Sequence, residues 1–188
     1  MENNPTDAAI NWNVTLQPQT SQHNLYLILH QLLRPMTHTE QQTVLSELTN
    51  WAHTSTSPRQ THRSLTRNEL RNLAAHKLIE IGSHTQTHPV LSERACAQLK
   101  REITQSKEDL QYLSGKTVTS FCYPFGSRKD IGQIAPKIVH DSAYEVAVGT
   151  FGQLVTRHTS PFLYPRLLVS NWNAVDFHQT LNSFLHGI

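Results

Sequence analysis

Two histidines, His84 and His88, stand four residues apart in the run EIGSHTQTHP. On a helical turn such side chains share one face, with Cβ atoms about 5–6 Å apart, and two neutral imidazoles that close can converge on one cation. Spacing alone is a weak signal, since 12 histidines in 188 residues give about 0.8 such pairs by chance. Position strengthens it: the pair follows Gly82 and Ser83 at the end of the apolar run LIEIG and precedes Pro89. Surface histidines with no ligand are the other reading of the same spacing. A second cluster, FCYPFG at 121–126, also closes an apolar run. Tyr123 and Phe125 are planar groups on which a sugar ring can stack, Pro124 stiffens the turn, and Gly126 lets backbone approach a ligand. An aromatic-proline turn packed on the core accounts for the same residues without a ligand. Trp172 offers either a further sugar platform or a rim packing residue.

The elements that must carry these residues follow from periodicity. Residues 1–20 are polar, with Pro5 and Pro18 as breakers, and read as a disordered tail. Leu25, Leu29, Leu32, Leu33 and Met36 predict a helix over 24–36. Thr37 with Glu40 makes a capping box ahead of Val44, Leu45, Leu48 and Trp51. Residues 21–63 therefore read as a helical hairpin, closed by a loop from His53 to Arg63 that contains Pro58. From Ser64 onward helices and strands alternate. Thr66 and Glu69 cap a helix ending near His76, and LIEIG reads as a short buried strand. Ser92 then serves as N-cap of a long helix that Gly115 stops, with Ala95, Leu99, Ile103, Leu110 and Leu113 as its apolar stripe. TVTSFCYP, YEVAVGT and RLLVS read as strands, a helix begins near Pro136, and a last helix runs from Asn173 to His186 with Gly187 behind it. Such alternation implies parallel pairing in an α/β fold, whose site lies at the carboxyl ends of the strands.

Composition narrows the partners. Sixteen Lys and Arg against 14 Asp and Glu, a net charge of +2, give no field that argues for nucleic acid or an anionic membrane as the main partner. Arg59, Arg63, Arg67 and Arg71 fit a solvated loop and helix face better than a polyanion site. Cys96 and Cys122 are too few for a disulfide framework and read as free thiols. No basic start is followed by an apolar run, and no apolar stretch approaches the ~20 residues of a membrane span. A soluble, unexported chain is the expectation, cytoplasmic by default.

Taken together, LTRNELRNLAAHKLIEIGSHTQTHPVLSE, the helix LKREITQSKEDLQYLSG and FCYPFG, in that order, resemble the polysaccharide deacetylase (NodB-homology) family, carbohydrate esterase family 4. The resemblance spans about residues 64–188. It implies a partial, distorted β/α barrel over 64–188, with 21–63 as a helical extension, in a family often found outside the cytoplasm. It implies removal of acetyl groups from an acetylated polysaccharide. By match to the family's paired-histidine motif, His84 and His88 would be two of three protein ligands to a divalent metal, typically zinc, cobalt or manganese. Such a cation can bring the pKa of water down to about 7 for attack on an acetyl carbonyl. The matching turn assigns the oxyanion-binding backbone N–H to Phe125, with Tyr123 and Pro124 lining the groove.

The chain also departs from the pattern. It has no Asp-Asp pair, which in the family supplies the base and the third ligand; the acids before Ile81 are Glu2, Asp7, Glu40, Glu47, Glu69 and Glu80. Cys122 stands where many members carry an arginine. The final Leu-x-His motif has no counterpart, leaving His158 and His178 as substitutes for the general acid. The expected function is thus a metal-dependent polysaccharide N-deacetylase impaired by the missing pair, with a missing N-terminal segment of a parent enzyme as a partner. The alternative is a non-catalytic carbohydrate-binding remnant of the barrel.

Overall fold

A computed structural model describes Trp12, residues 16–57 and residues 60–186. Most of the expected tail, Pro58, Arg59 and the helix stop at Gly187 lie outside the described residues. The chain divides into two units, Met1–Thr56 and Ser57–Ile188.

The first unit holds α1 (Ser21–Leu33) and α2 (His38–Trp51). Thr20 caps α1 by accepting the His23 N–H at 3.2 Å. The helix thus starts earlier than the apolar stripe alone predicts. The Thr37–Glu40 capping box forms as expected, with the Glu40 carboxylate accepting the Thr37 N–H at 2.7 Å. The Gln41 side chain closes the bend by donating to the Leu33 carbonyl at 3.0 Å. Neither helix contains a buried residue, and Leu25, Ile28, Leu32, Leu45 and Trp51 are exposed.

The second unit contains, in order, α3 (Arg67–Ala75), α4 (Cys96–Ser114), β1 (Ser120–Cys122), α5 (Arg128–Ile131), α6 (Ala135–Asp141), β2 (Val146–Val148) and α7 (Ala174–His186). Short 3-10 turns occupy Gln60–His62, Leu91–Glu93 and Pro161–Leu163. Thr66 and Glu69 form the second capping box. Glu69 also receives both terminal nitrogens of Arg63 at 2.7 and 2.8 Å, and that hydrogen bonding holds its carboxyl well below the usual range. Gly115 stops α4 in the left-handed region at φ 68, its N–H on the Gln111 carbonyl. Only glycine takes this conformation at little cost.

β1 and β2 pair in parallel, with Phe121 opposite Ala147. Single bridges extend the pair on both sides, Ser83 to Phe121 and Val148 to Tyr164, both parallel. Four adjacent segments therefore run in the order Ser83, β1, β2, Tyr164. Leu99 and Ile103 of α4, Phe121, Tyr123, Ile131, Ala135, Val139, Tyr144 and Ala147 form the core between this sheet and the helices. Lys107 ties α4 to the end of α6 by donating to the Ser142 and Ala143 carbonyls at 3.0 and 2.6 Å. Partial burial there lowers its pKa.

Several expectations are corrected. LIEIG is not a buried strand: Leu78 is 87% exposed, Ile79 is exposed as well, and only Ser83 bridges a neighbour. RLLVS forms no strand, and Leu168 and Val169 lie on the surface. Both segments flank the sheet where no described neighbour pairs with them. TVTSFCYP and YEVAVGT each shorten to three strand residues. Ser92 does not cap α4, because fully buried Leu91 draws the chain into a 3-10 turn and the helix starts at Cys96 after Ala95.

Candidate functional site

Ser83 fixes the start of the histidine loop. Its N–H donates to the Ser120 carbonyl at 2.9 Å, and its own carbonyl accepts the Cys122 N–H at 2.8 Å. The side chain is buried and meets the Ser106 hydroxyl of α4 at 2.6 Å. Beyond it the backbone does not turn helically, contrary to the geometry expected from the spacing. Thr85 at φ 66 and His88 at φ 56 both lie in the left-handed region, and Pro89 disfavours a helical His88. Each such non-glycine residue costs about 1–3 kcal/mol. Glu102 of α4 provides compensation: one carboxylate oxygen accepts the N–H groups of Gln86 and Thr87, both at 2.9 Å, and the other accepts the Thr87 hydroxyl at 2.6 Å. Hydrogen bonds to a charged group contribute about 1.5–3 kcal/mol each. The loop nevertheless brings the two exposed imidazoles together, with ring centroids 4.8 Å apart and planes at 72°.

The second wall is the turn after β1. The Gly126 N–H donates to the Pro124 carbonyl at 2.6 Å around Phe125 at φ 60, a strained γ-turn. Thr150 clamps it, its N–H on the Gly126 carbonyl and its hydroxyl on the Phe125 carbonyl, each at 2.8 Å. The Phe125 ring then stands edge to face with His88, centroids 4.8 Å apart. His84 Nδ1 meets the Cys122 carbonyl at 2.6 Å, joining the loop to the end of β1. Arg166 Nη2 donates to Cys122 Sγ at 3.1 Å, while its Nε donates to the Gly149 carbonyl at 2.8 Å.

These contacts set the charge states. Hydrogen bonding to the Cys122 side chain, and then to its carbonyl, raises the His84 pKa against the opposing effect of burial. Burial, followed by the neighbouring His84, lowers that of His88. Burial alone would push the Cys122 thiol up, but His84 and Arg166 outweigh it and hold it below its ordinary value. As a donor set, the pair fits a divalent cation. With Nδ1 committed as donor to a carbonyl, a neutral His84 carries its lone pair on Nε2, and a His88 that resists protonation is the neutral form a metal binds. Among the described residues no group of three His, Cys, Asp or Glu side chains gathers as a metal cluster.

The other expected site residues are placed differently. Tyr123 is 1% exposed, packs edge to face on Phe121 and donates its hydroxyl to the Phe162 carbonyl at 2.8 Å. Burial raises its pKa. Pro124 is also fully buried. Neither offers a face to a sugar; both form the floor beneath the turn, because strand alternation sends Phe121 and Tyr123 inward and Cys122 toward the histidines. Trp172 is half-buried in the turn before α7, and the ring contacts linking His84, His88 and Phe125 do not extend to it among the described residues. His158 contacts Arg157, and His178 contacts Asn182 on α7. Arg63 pairs with Glu69 and Arg71 donates to the Leu113 carbonyl, uses that suit a helix face. Sequence reasoning missed Glu102 and Arg166. Glu102 lies 15 residues from Thr87 and Arg166 lies 44 from Cys122, separations for which no local pattern exists.

The sequence profile of the polysaccharide deacetylase family matches residues 33–141, more than half of the chain. No curated protein matches. Among solved structures, a polysaccharide deacetylase from Bacillus cereus is similar at TM-score 0.55 and 23% identity over 66% of this chain and 38% of that one. One from Bacillus anthracis gives 0.54 and 21% over 62% of this chain and 36% of that one. The Streptococcus pyogenes deacetylase PplD, solved with acetate, gives 0.56 and 18% over 64% of this chain and 52% of that one. These likenesses establish the fold, and the chain spans between about a third and a half of the length of the structures it matches. With the family profile running through both the histidine loop and the aromatic-proline turn, the chain belongs to the polysaccharide deacetylase family.

Proposed function

We propose that this chain is part of a metal-dependent hydrolase that removes acetyl groups from a carbohydrate polymer. The observation that carries the reading is the convergence of His84 and His88, 4.8 Å apart, against the Phe125 turn at the end of β1. His84 through Nε2 and His88 through a ring nitrogen would hold a divalent cation such as zinc, cobalt or manganese. Such a cation would lower the pKa of water and polarise an acetyl carbonyl. In the overall reaction water adds to the carbonyl carbon, the C–N bond breaks, a proton passes to the departing amine and acetate leaves. Phe125 would aim its backbone N–H at the developing oxyanion, and its ring would limit water beside His88. Acetate, present in the Streptococcus pyogenes structure, is the product of this chemistry.

In this reading the second unit forms part of a distorted β/α barrel and the first unit is a helical extension, of which the family profile also takes in residues 33–56. A carboxylate from outside the described residues would complete the ligand set and serve as base. A preceding segment of a longer enzyme is its natural source, which would pack against the exposed edges at Leu78–Ile79 and Leu168–Val169. The second reading, a carbohydrate-binding remnant without turnover, draws on the absence of a three-residue metal cluster among the described residues.

Metal content after purification, with acetate release from acetylated chito-oligosaccharides, separates the two. Near one equivalent of metal, lost in both His84→Ala and His88→Ala, is the expected result. No metal together with no acetate would overturn the hydrolase reading in favour of the remnant.

A further inference from the structure

We propose that Glu102 is a positioning residue for the histidine pair. It would act as an anchor that holds the 84–88 loop in the left-handed backbone shape that here brings both imidazoles together. This inference rests on the reading of His84 and His88 as metal-holding groups and adds the residue that makes them so. The loop has no helix or strand of its own to fix its middle; it is held at Ser83 and at buried Pro89 and Val90, and its two rings reach the Cys122 carbonyl and Phe125. Between those ends, Thr85 and His88 sit in left-handed conformations that the chain does not favour by itself.

Three hydrogen bonds reach this stretch from one side chain. Glu102 Oε2 accepts both successive N–H groups of Gln86 and Thr87, and Oε1 accepts the Thr87 hydroxyl. A carboxylate suits this position because it accepts on both oxygens, as a cluster of three donors requires. Within the loop, Thr85 Oγ1 accepts the His88 N–H at 3.1 Å and donates to the His84 carbonyl. The two residues that Glu102 holds therefore lie between the two histidines, and the anchor sets both ends of the pair at once. Asp109, one further stretch along α4, receives the Gln86 side chain at 3.0 Å and extends the same attachment. Glu102 touches neither imidazole in these contacts, so it acts through the loop.

The test compares the wild-type full chain with Glu102→Ala, Glu102→Gln and Thr87→Val by zinc titration, thermal unfolding and amide NMR. Removing partners that orient metal ligands commonly weakens metal binding about 10- to 100-fold, and Glu102→Ala should fall in that range. Glu102→Gln should largely restore affinity, because its amide oxygen can take the two backbone N–H groups while its NH2 donates to the Thr87 hydroxyl. A role in stability alone would show as a lowered unfolding midpoint with zinc affinity unchanged. Zinc affinity in Glu102→Ala within about threefold of wild type, or no recovery in Glu102→Gln, overturns the proposal. If Glu102→Ala does not fold, Thr87→Val, which removes one of the three bonds, should weaken zinc binding several-fold, and unaltered binding overturns the proposal.

If wild type takes up no zinc, the metal reading itself fails, and the anchor is judged by NMR alone. Glu102→Ala should shift the Gln86 and Thr87 amide protons upfield and remove cross-peaks between the His84 and His88 rings. Unchanged amides and rings would overturn it.

Discussion

Replacing Gly126 with alanine tests whether the turn beside His88 is built as tightly as its geometry requires. Gly126 has φ 76, and a Cβ there would lie 2.6 Å from Thr150 Cγ2, 2.8 Å from Thr150 N and 2.9 Å from Thr150 Oγ1. The left-handed conformation costs an alanine about 1–2 kcal/mol. Overpacking adds about 1–3 kcal/mol, because the Thr150 N–H is fixed on the Gly126 carbonyl and cannot withdraw without losing that bond. Gly115 supplies the internal control: its φ is 68, but nothing lies within 4 Å of its Cβ position. Both substitutions stiffen the unfolded chain equally, by about 0.4–1 kcal/mol, so that contribution cancels in the comparison. Urea unfolding followed by circular dichroism should therefore show Gly126→Ala less stable than Gly115→Ala by about 1–3 kcal/mol. Equal midpoints with equal slopes would refute the clamped turn and, with it, the placement of Phe125 against His88.

The pH dependence follows from the opposed shifts of the two histidines. Protonated His84, with its pKa raised, contributes stability that is complete below the unfolded value near 6.5 and is lost as pH rises through the folded value. His88, with its pKa lowered, acts oppositely: stability falls as pH drops from the unfolded value toward the folded one. If the pair holds zinc as proposed, both rings must be neutral, so affinity should decline on acidification from the raised His84 value, and Cys122→Ala should move that decline to lower pH. An unmoved midpoint in a zinc titration series would contradict the cause assigned to the shift. Ser106→Ala should cost about 1–3 kcal/mol by removing the buried Ser83–Ser106 hydrogen bond, and Ser83→Ala with Ser106→Ala should cost less than the sum of the singles in a denaturation cycle. Thr37→Ala should destabilise α2 by about 1 kcal/mol, read as faster amide exchange in its first turn.

Local rules located what local physics determines. The capping boxes at Thr37 and Thr66 and the stop at Gly115 depend on contacts within one turn, and all three form. The histidine pair was legible as a pair, but its geometry was not. A helical turn and a loop with left-handed Thr85 and His88 deliver similar ring distances, and only Pro89 hinted at the second. Applying the period of two across Phe121, Cys122 and Tyr123 would have placed Tyr123 inward with Phe121, where it lies. The strands proved short because LIEIG and RLLVS need neighbours to become strands, and apolar character alone cannot supply one. Arg166 against Cys122 and Glu102 beneath the loop belong to tertiary packing, which leaves no signature at fixed spacing.

The parallel bridges that define the site join residues far apart in the chain: Ser83 with Phe121, Ser120 with Val146 and Val148 with Tyr164. Contacts of such long reach form late, after capped helices that need only their own residues. During synthesis both imidazoles are made well before the Cys122 carbonyl that orients one and the Thr150 clamp that sets the turn beside the other. A chain cut short of β2 would thus carry the histidine pair without its geometry, and any cation affinity it showed would be that of an unstructured peptide.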